Sequence, residues 1–318
     1  MAEQQNPALR IEQVSLDHLR TIAQSGELYA IADATDAPAV PKKVLELGPQ
    51  RAVSLYRGTA EEEFWDVAPY LIHVDAPVLD WIVSTLDRTR WGIFAASKAN
   101  LDTLRTHFRH FLKVQPPEDK PWFFRFYDPR VLRPFLPACN VEELRILFGP
   151  VGTFGLGSAD TRAVSFHRLQ PQSAGASSRQ VMNPSLFFRL RQQHLEALRP
   201  QADAAFAREV INYLQTKQQR LVADLPEDEL EQRVLSGLAR ARQYGFKRNS
   251  SFAAFVTIML DIAPNFDEQP AIRAILNDRS IHPDLRIDTL IQHTTERDWE
   301  QAKLHSNPEV WRLHARKG

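Results

Sequence analysis

Apolar residues change their period once along this chain, and that change limits what it can fold into. In the first half the apolar runs are strand-length and rich in aromatic and β-branched residues: LYAIAD (28–33), AVSLY (52–56), YLIHV (70–74), WGIFA (91–95) and WFFRFY (122–127). Amphipathic helices lie between them. The clearest spans 98–113, where Ser97 stands as a cap and Leu101, Leu104, Phe108, Phe111 and Leu112 recur at helical spacing. Such alternation predicts an α/β lobe, a mixed sheet flanked by helices.

The periodicity then stops at RLQPQSAGASSRQVMNP (168–184), where Ser, Gly, Gln and Pro take over, as in a linker or long loop. Beyond it every segment reads as helix. Asn183-Pro184 offers a cap followed by a first-turn proline, with Leu186, Leu190 and Leu198 on the following turns. Phe206, Val210, Tyr213, Leu214 and Leu221 mark a second helix. A third, over 227–244, ends at Gly245, a residue suited to a left-handed cap. A fourth runs from Phe252 to Pro264, followed by a short turn over 271–277 and a helix over 283–304. The expected organisation is an α/β domain over 1–167, a linker over 168–184 and an all-α helical-bundle lobe over 185–318.

At 318 residues, two cores of ordinary size are expected, and the 43% hydrophobic and 25% charged contents are those of a globular chain. Lys plus Arg and Asp plus Glu both number 39, so no global field draws the chain to nucleic acid or an acidic membrane. One cysteine, Cys139, excludes an intramolecular disulfide and fits a reducing compartment. The start has no secretory pattern and no apolar run reaches membrane-span length, so the cytoplasm is expected.

Chemical motifs are sparse. GTFGLGS (152–158) has neither dinucleotide nor Walker spacing, and Ser158 lacks the glycine of a nucleophile elbow. Cys139 reads as a small buried hydrophobe. His107 and His110 are three apart on one helix, but Arg105, Arg109 and Lys113 surround them instead of further metal ligands. Thr59 with Glu61 to Glu63, and Asn140 with Glu143, have the spacing of capping boxes. No catalytic, cofactor or metal set emerges, and none is expected.

The densest stretch is PWFFRFYDPRVLRPFLP (121–137). Alternation puts Trp122, Phe124 and Phe126 on one strand face and Phe123, Arg125 and Tyr127 on the other. Asp128 then caps a short helix opened by Pro129, buried through Val131, Leu132 and Phe135 and ended by Pro137; Asp128 is also within reach of Arg125 or Arg130.

Five motifs in order, Asp33 ending the first strand, APYL (68–71), WGIF (91–94, opened by Trp91), the basic helix ending HFLKV and FRFYDPRVLRPFLP (124–137), resemble the adaptor, or effector chaperone, family of bacterial type VI secretion. The resemblance covers 28–151; ARARQYGF (239–246) and FAAFVTIMLDIAPNFDEQP (252–270) are similar to its helical C-terminal lobe. It implies a non-enzymatic cytoplasmic protein that binds one cognate effector, keeps it competent and helps load it onto the VgrG spike, with no nucleic acid, membrane or cofactor. Asp33, Trp91, Arg125, Tyr127, Asp128, Pro129 and Arg130 are then structural motif residues. Arg105, Arg109 and Lys113, read as a solvated basic face, are the expected partner contacts. Two other readings stay open: an enzyme with a polar site at Arg125, Tyr127, Asp128 and Arg130, and a weak nucleic-acid binder using Arg105, Arg109, Lys113, Lys120, Arg125, Arg130 and Arg133.

Overall fold

The computed structural model describes residues 6–87, 89–117, 120–157, 163–170 and 188–313. The chain divides into two compact units, Met1–Arg199 and Pro200–Gly318. In the first unit the order is β1 (Leu9–Val14), α1 (Leu16–Gln24), β2 (Leu28–Asp33), α2 (Val40–Leu47), β3 (Ala52–Ser54), α3 (Thr59–Glu63), β4 (Pro69–His73), α4 (Ala76–Thr85) and β5 (Gly92–Ala96). There follow α5 (Leu101–Arg109), β6 (Lys113–Gln115), β7 (Trp122–Phe123), α6 (Pro129–Ala138), α7 (Val141–Phe148), β8 (Thr153–Gly157), β9 (Val164–Leu169) and β10 (Phe188–Arg189).

Seven strands form one sheet in the order β1-β9-β8-β5-β2-β4-β3. Every neighbouring pair in it is antiparallel, where the sequence suggested a mixed sheet. The connections explain the difference. The helix α2 joins β2 to β3, with β4 paired between them, and α4 joins β4 to β5, with β2 between. The strands linked by α2, and those linked by α4, therefore share a direction, but each pairs with an intervening strand that runs the other way, and α3 joins β3 directly to its antiparallel neighbour β4. Three short strands form a second sheet, β10-β6-β7, in which β10 and β6 are parallel.

All six residues of β2 are buried. Tyr29 and Ile31 enter a core shared with Leu104 and Phe108 of α5, Leu132 and Phe135 of α6, and Leu144 and Leu147 of α7. Leu28, Ala30 and Ala32 enter the other core, with Leu19 of α1, Val40 of α2 and Val78 and Ile82 of α4. Period-two alternation thus splits one apolar run between two helical layers. A sheet covered on both faces gives continuously apolar strands even when antiparallel, which is why the sequence pattern resembles that of a parallel sheet.

Helix boundaries follow their caps. Asn100, not Ser97, caps α5, accepting from the Thr103 amide at 2.9 Å; the Ser97 hydroxyl donates to the Pro150 carbonyl at 2.7 Å. Asn140 and Glu143 form the expected capping box on α7. The box expected at Thr59 does not form, because Gly58 takes the N-cap position of α3 and offers no side chain. Phe188–Arg189 is a strand, so the helix expected from 184 starts later, at α8 (Gln192–Lys217), within which the division between units falls. Arg168 and Leu169 close β9 against β1 instead of opening a linker. Gln170 follows, its amide donating to the Ala8 carbonyl at 2.8 Å, and 171–184, Asn183 and Pro184 included, with Ser158 and Leu186, lie outside the described residues.

In the second unit, α9 (Glu227–Ala241), α10 (Asn249–Asp261), α11 (Pro270–Leu276), α12 (Arg286–His293), α13 (Glu296–Leu304) and α14 (Val310–Leu313) follow α8. Gly245 takes the left-handed conformation expected of it, at φ 74°. The helix expected over 283–304 is broken at Thr294 and Thr295, where a new capping box with Asp298 opens α13. Arg240 donates to both oxygens of Asp267 at 2.8 Å, and Tyr244 donates to the same carboxylate at 2.5 Å. The two segments resembling an adaptor C-terminal lobe, 239–246 and 252–270, meet through this buried cluster.

In the first unit, α5 and α7 are joined by His107, whose Nε2 donates to the Leu147 carbonyl at 2.9 Å. Gly149, with φ 48°, ends α7 against that ring; a Cβ there would stand 2.4 Å from His107 Cε1. We expect Gly149→Ala to cost roughly 2–4 kcal/mol from left-handed strain and overpacking; an unchanged denaturation midpoint would refute this packing. Burial pulls the imidazoles of His107 and His167 from 6.5 down to about 4. The unfolded chain then binds more protons than the folded one between those values, so both histidines lower stability as pH falls from about 6.5 to 4. His107→Gln should flatten that decline relative to the native chain, a comparison made by urea melts at stepped pH.

Candidate functional site

At the end of β2 the Asp33 carboxylate is only 1% exposed. Arg125 donates to it and, at 2.9 Å, to Asp36; Arg130 donates to Asp36 at 2.6 Å and to Asp128 at 2.7 Å. Asp128 also accepts from the Arg130 amide at 2.9 Å, capping α6 as expected, with Pro129 buried in its first turn. Tyr127 is buried beside the cluster. Trp91 packs edge-on against Phe94, and its carbonyl accepts from the Asp33 amide at 2.7 Å. All seven motif residues thus lie on one structural corner.

Burial pushes the Asp33 carboxyl up, against the pull of Arg125. Burial also pulls the Arg125 guanidinium down, but Asp33, Tyr127, Asp128 and Asp36 outweigh it and hold it above its ordinary value. Burial drives Tyr127 far up as well, so its phenol stays protonated. The cluster consists of two cations against three carboxylates; Arg125 makes both of its bonds through Nη2 and leaves its Nε buried without a partner. Sequence reasoning missed Asp36, which bridges Arg125 and Arg130 from some ninety residues away; its only local signal is the D-x-x-D spacing with Asp33.

The corner is not the strand expected over 122–127. Pairing stops at Phe123, and both Trp122 and Phe123 are exposed, at 43% and 48%, while Phe124, Phe126 and Tyr127 are buried. The turn that aims Arg125 at Asp33 breaks the alternation.

Arg105 and Arg109 are not a solvated basic face. Arg105 donates from Nε to the Ser54 carbonyl at 3.0 Å and from Nη2 to Glu61 at 2.9 Å. Arg109, its side chain only 14% exposed, donates to the Leu55 carbonyl at 3.0 Å, the Ser54 carbonyl at 3.2 Å and the Tyr56 carbonyl. Burial first, then the charges of Arg105 and Arg57, pull the Arg109 guanidinium down to about 10. Arg133 stays exposed but is also held, donating to the Gly157 carbonyl at 2.7 Å and to Ser165 at 3.2 Å. At least five of the seven basic side chains a nucleic acid would use, Arg105, Arg109, Arg125, Arg130 and Arg133, are therefore held by this chain's own groups. Lys113, by contrast, is exposed.

Beside these arginines lies a groove of about 860 Å³, walled by Leu55, Tyr56, Ala60, Phe64, Val67, Leu112 and Phe123. Its charged or titratable lining residues are Arg57, Arg109, His110 and Lys113. The corner residues Arg125, Asp128 and Arg130 do not line it. In the second unit a smaller apolar groove of about 530 Å³ is lined by residues including Phe206, Tyr213, Ile258 and Ile291.

Among the described residues one group has metal-ligand chemistry: atoms of Cys139, Glu143 and His194 lie within 4.8 Å of one another. Arg191 already donates to both Glu143 oxygens, at 2.6 and 2.7 Å, and the Asn140 amide donates to one of them at 2.7 Å. His194 Nδ1 accepts from the Arg191 amide at 3.0 Å, which leaves Nε2–H to face Glu143 at 3.3 Å. A cation here would have to displace a bidentate guanidinium, so the cluster reads as the clasp holding 191–194 to α7. Burial, then Glu143, drives the Cys139 thiol far up, the reverse of an activated nucleophile.

Removing Arg125 leaves the Asp33 carboxylate buried without its cation. Arg125→Ala should cost roughly 2–3 kcal/mol, below the range for breaking a fully buried pair because water reaches Arg125. Asp128→Ala, losing a cap and a bidentate pair together, should exceed the ~1 kcal/mol of a lost cap alone. Chemical denaturation measures both, and a change near zero in either would overturn the structural reading of the corner.

Residues 28–145 match the family model described as a domain of unknown function, DUF4123. No curated protein and no solved structure matches the chain. The matched segment runs from the first residue of β2 into α7 and contains the whole charged corner and the whole lining of the larger groove.

Proposed function

We propose that this chain is a non-enzymatic adaptor of type VI secretion, which binds one cognate effector in the cytoplasm, keeps it competent and helps load it onto the VgrG spike. The observation that carries the reading is the family match over 28–145, which falls on the segment whose ordered motifs resemble the effector chaperones. The geometry is in keeping with it. The most motif-rich residues, Asp33, Arg125, Tyr127, Asp128 and Arg130, are spent on a corner of the fold, whereas the large concavity is apolar, as a protein-binding surface requires. Among the described residues no helix is long and apolar enough to cross a membrane.

The test is coexpression with the product of the neighbouring gene, chosen where a large effector lies beside a VgrG gene. The expected result is coelution on size exclusion and a rise in soluble effector. Separate elution with unchanged effector solubility would sink the proposal.

A further inference from the structure

We infer that the groove of the first unit receives an acidic amphipathic segment of a protein partner, its apolar side chains against Phe64, Val67, Leu112 and Phe123 and its carboxylates on Arg57 and Lys113. The inference rests on the adaptor reading and adds where the partner binds and what chemistry it presents.

Three observations converge. The groove's walls are apolar and include aromatic side chains in the open: Phe64 is 50% exposed and Phe123 48%. Trp65 and Trp122, the sequence neighbours of Phe64 and Phe123, are themselves 46% and 43% exposed, an amount of open aromatic surface that suits a macromolecular contact rather than an enclosed small-molecule site. The charged side chains that line it have one sign: Arg57, Arg109 and Lys113, with His110 and no carboxylate, while Glu62, Glu63 and Asp66 stand on the same connection outside the lining. Glu61 answers Arg105 and Arg109, but among the described residues Arg57 and Lys113 have no ion-pair partner. An apolar trough with unanswered cations on it selects a segment that alternates apolar and acidic residues, and the charge pairs orient it. A nucleic acid would place phosphates on these cations but would leave the apolar walls in water.

The test uses the full-length chain and its coexpressed effector. Arg57→Glu with Lys113→Glu changes two exposed side chains that hold nothing in the fold, and equal thermal melts confirm that the fold persists. We expect the double reversal to weaken the complex by roughly tenfold or more, with stronger salt dependence in the native pair. A photo-crosslinker replacing Phe64 should attach to an effector segment in which Asp or Glu interleave with apolar residues. The same crosslinker replacing Tyr213, in the second unit's groove, should not reach that segment. A complex that forms normally with the double reversal, or a crosslink to a basic segment, overturns the groove assignment and leaves the adaptor reading standing. Absence of any complex overturns both. Native mass spectrometry that finds a lipid anion released by the native chain but not by the reversed one would reassign the groove and also overturn the inference.

Discussion

A carboxylate almost wholly out of water at the end of an interior strand, β2, constrains the first unit more than any other single feature. Asp33 stands where β2 leaves a sheet covered on both faces, and alone it would cost several kcal/mol. Arg125 meets it from a segment some ninety residues later, and to do so the chain leaves β7 after only two paired residues and turns. That turn sets Asp128 as the cap of α6 and points Arg130 at Asp36, so one pairing requirement also fixes the entry of a helix. The helix then lays Leu132, Phe135 and Leu136 on the core beneath the sheet. Because burial outweighs the cation at Asp33, the network's main contribution is positional: it selects one arrangement of distant segments more than it adds net stability.

How much of this was legible follows the range of the forces. The strand LYAIAD and the caps at Asp128 and Asn140 were readable because their causes are local: side-chain period and a short side chain reaching an amide two or three residues on. The antiparallel direction of the sheet was not, since it depends on which strand slips between two others joined by a helix, a choice made by long-range packing. The strand over 122–127 failed for a related reason. Alternation of aromatics is satisfied as well by a turn as by a strand, and the pull of Asp33 on Arg125 decides between them. Asp36 carried no signal of its own, because a lone aspartate in a short loop has the composition of any turn.

Arginines along α5 show the same limit from the other side. Spacing at 105 and 109 identifies a helix face but not what faces it, and a run of cations is most often solvated. Here the end of β3 lies against that face and presents three successive carbonyls, at Ser54, Leu55 and Tyr56, each of which needs a donor once away from water. The two guanidiniums supply those donors, and Glu61 closes the set. A neutral chain thus hides most of its local positive charge in structural work, and what remains on the surface at Arg57 and Lys113 is small in amount but placed beside apolar wall.

This placement bears on how a partner would be held. Arg109 fixes the backbone of the β3 to α3 connection, and that connection carries Leu55, Tyr56 and Arg57 into the groove. Tyr56 in turn packs edge-on against Phe123 at 5.8 Å and lies close enough to the charged corner for Asp33 and Arg125 to act on its phenol. The wall of the groove is therefore braced on one side by the arginines of α5 and on the other by the corner that Asp33 organises. A surface braced in this way loses little conformational freedom when a segment enters it, so more of the interaction free energy is left for affinity. On this view the buried charge chemistry of the motif residues and the apolar chemistry of the groove are one device: the ion pairs hold in place the wall that is proposed to meet the partner.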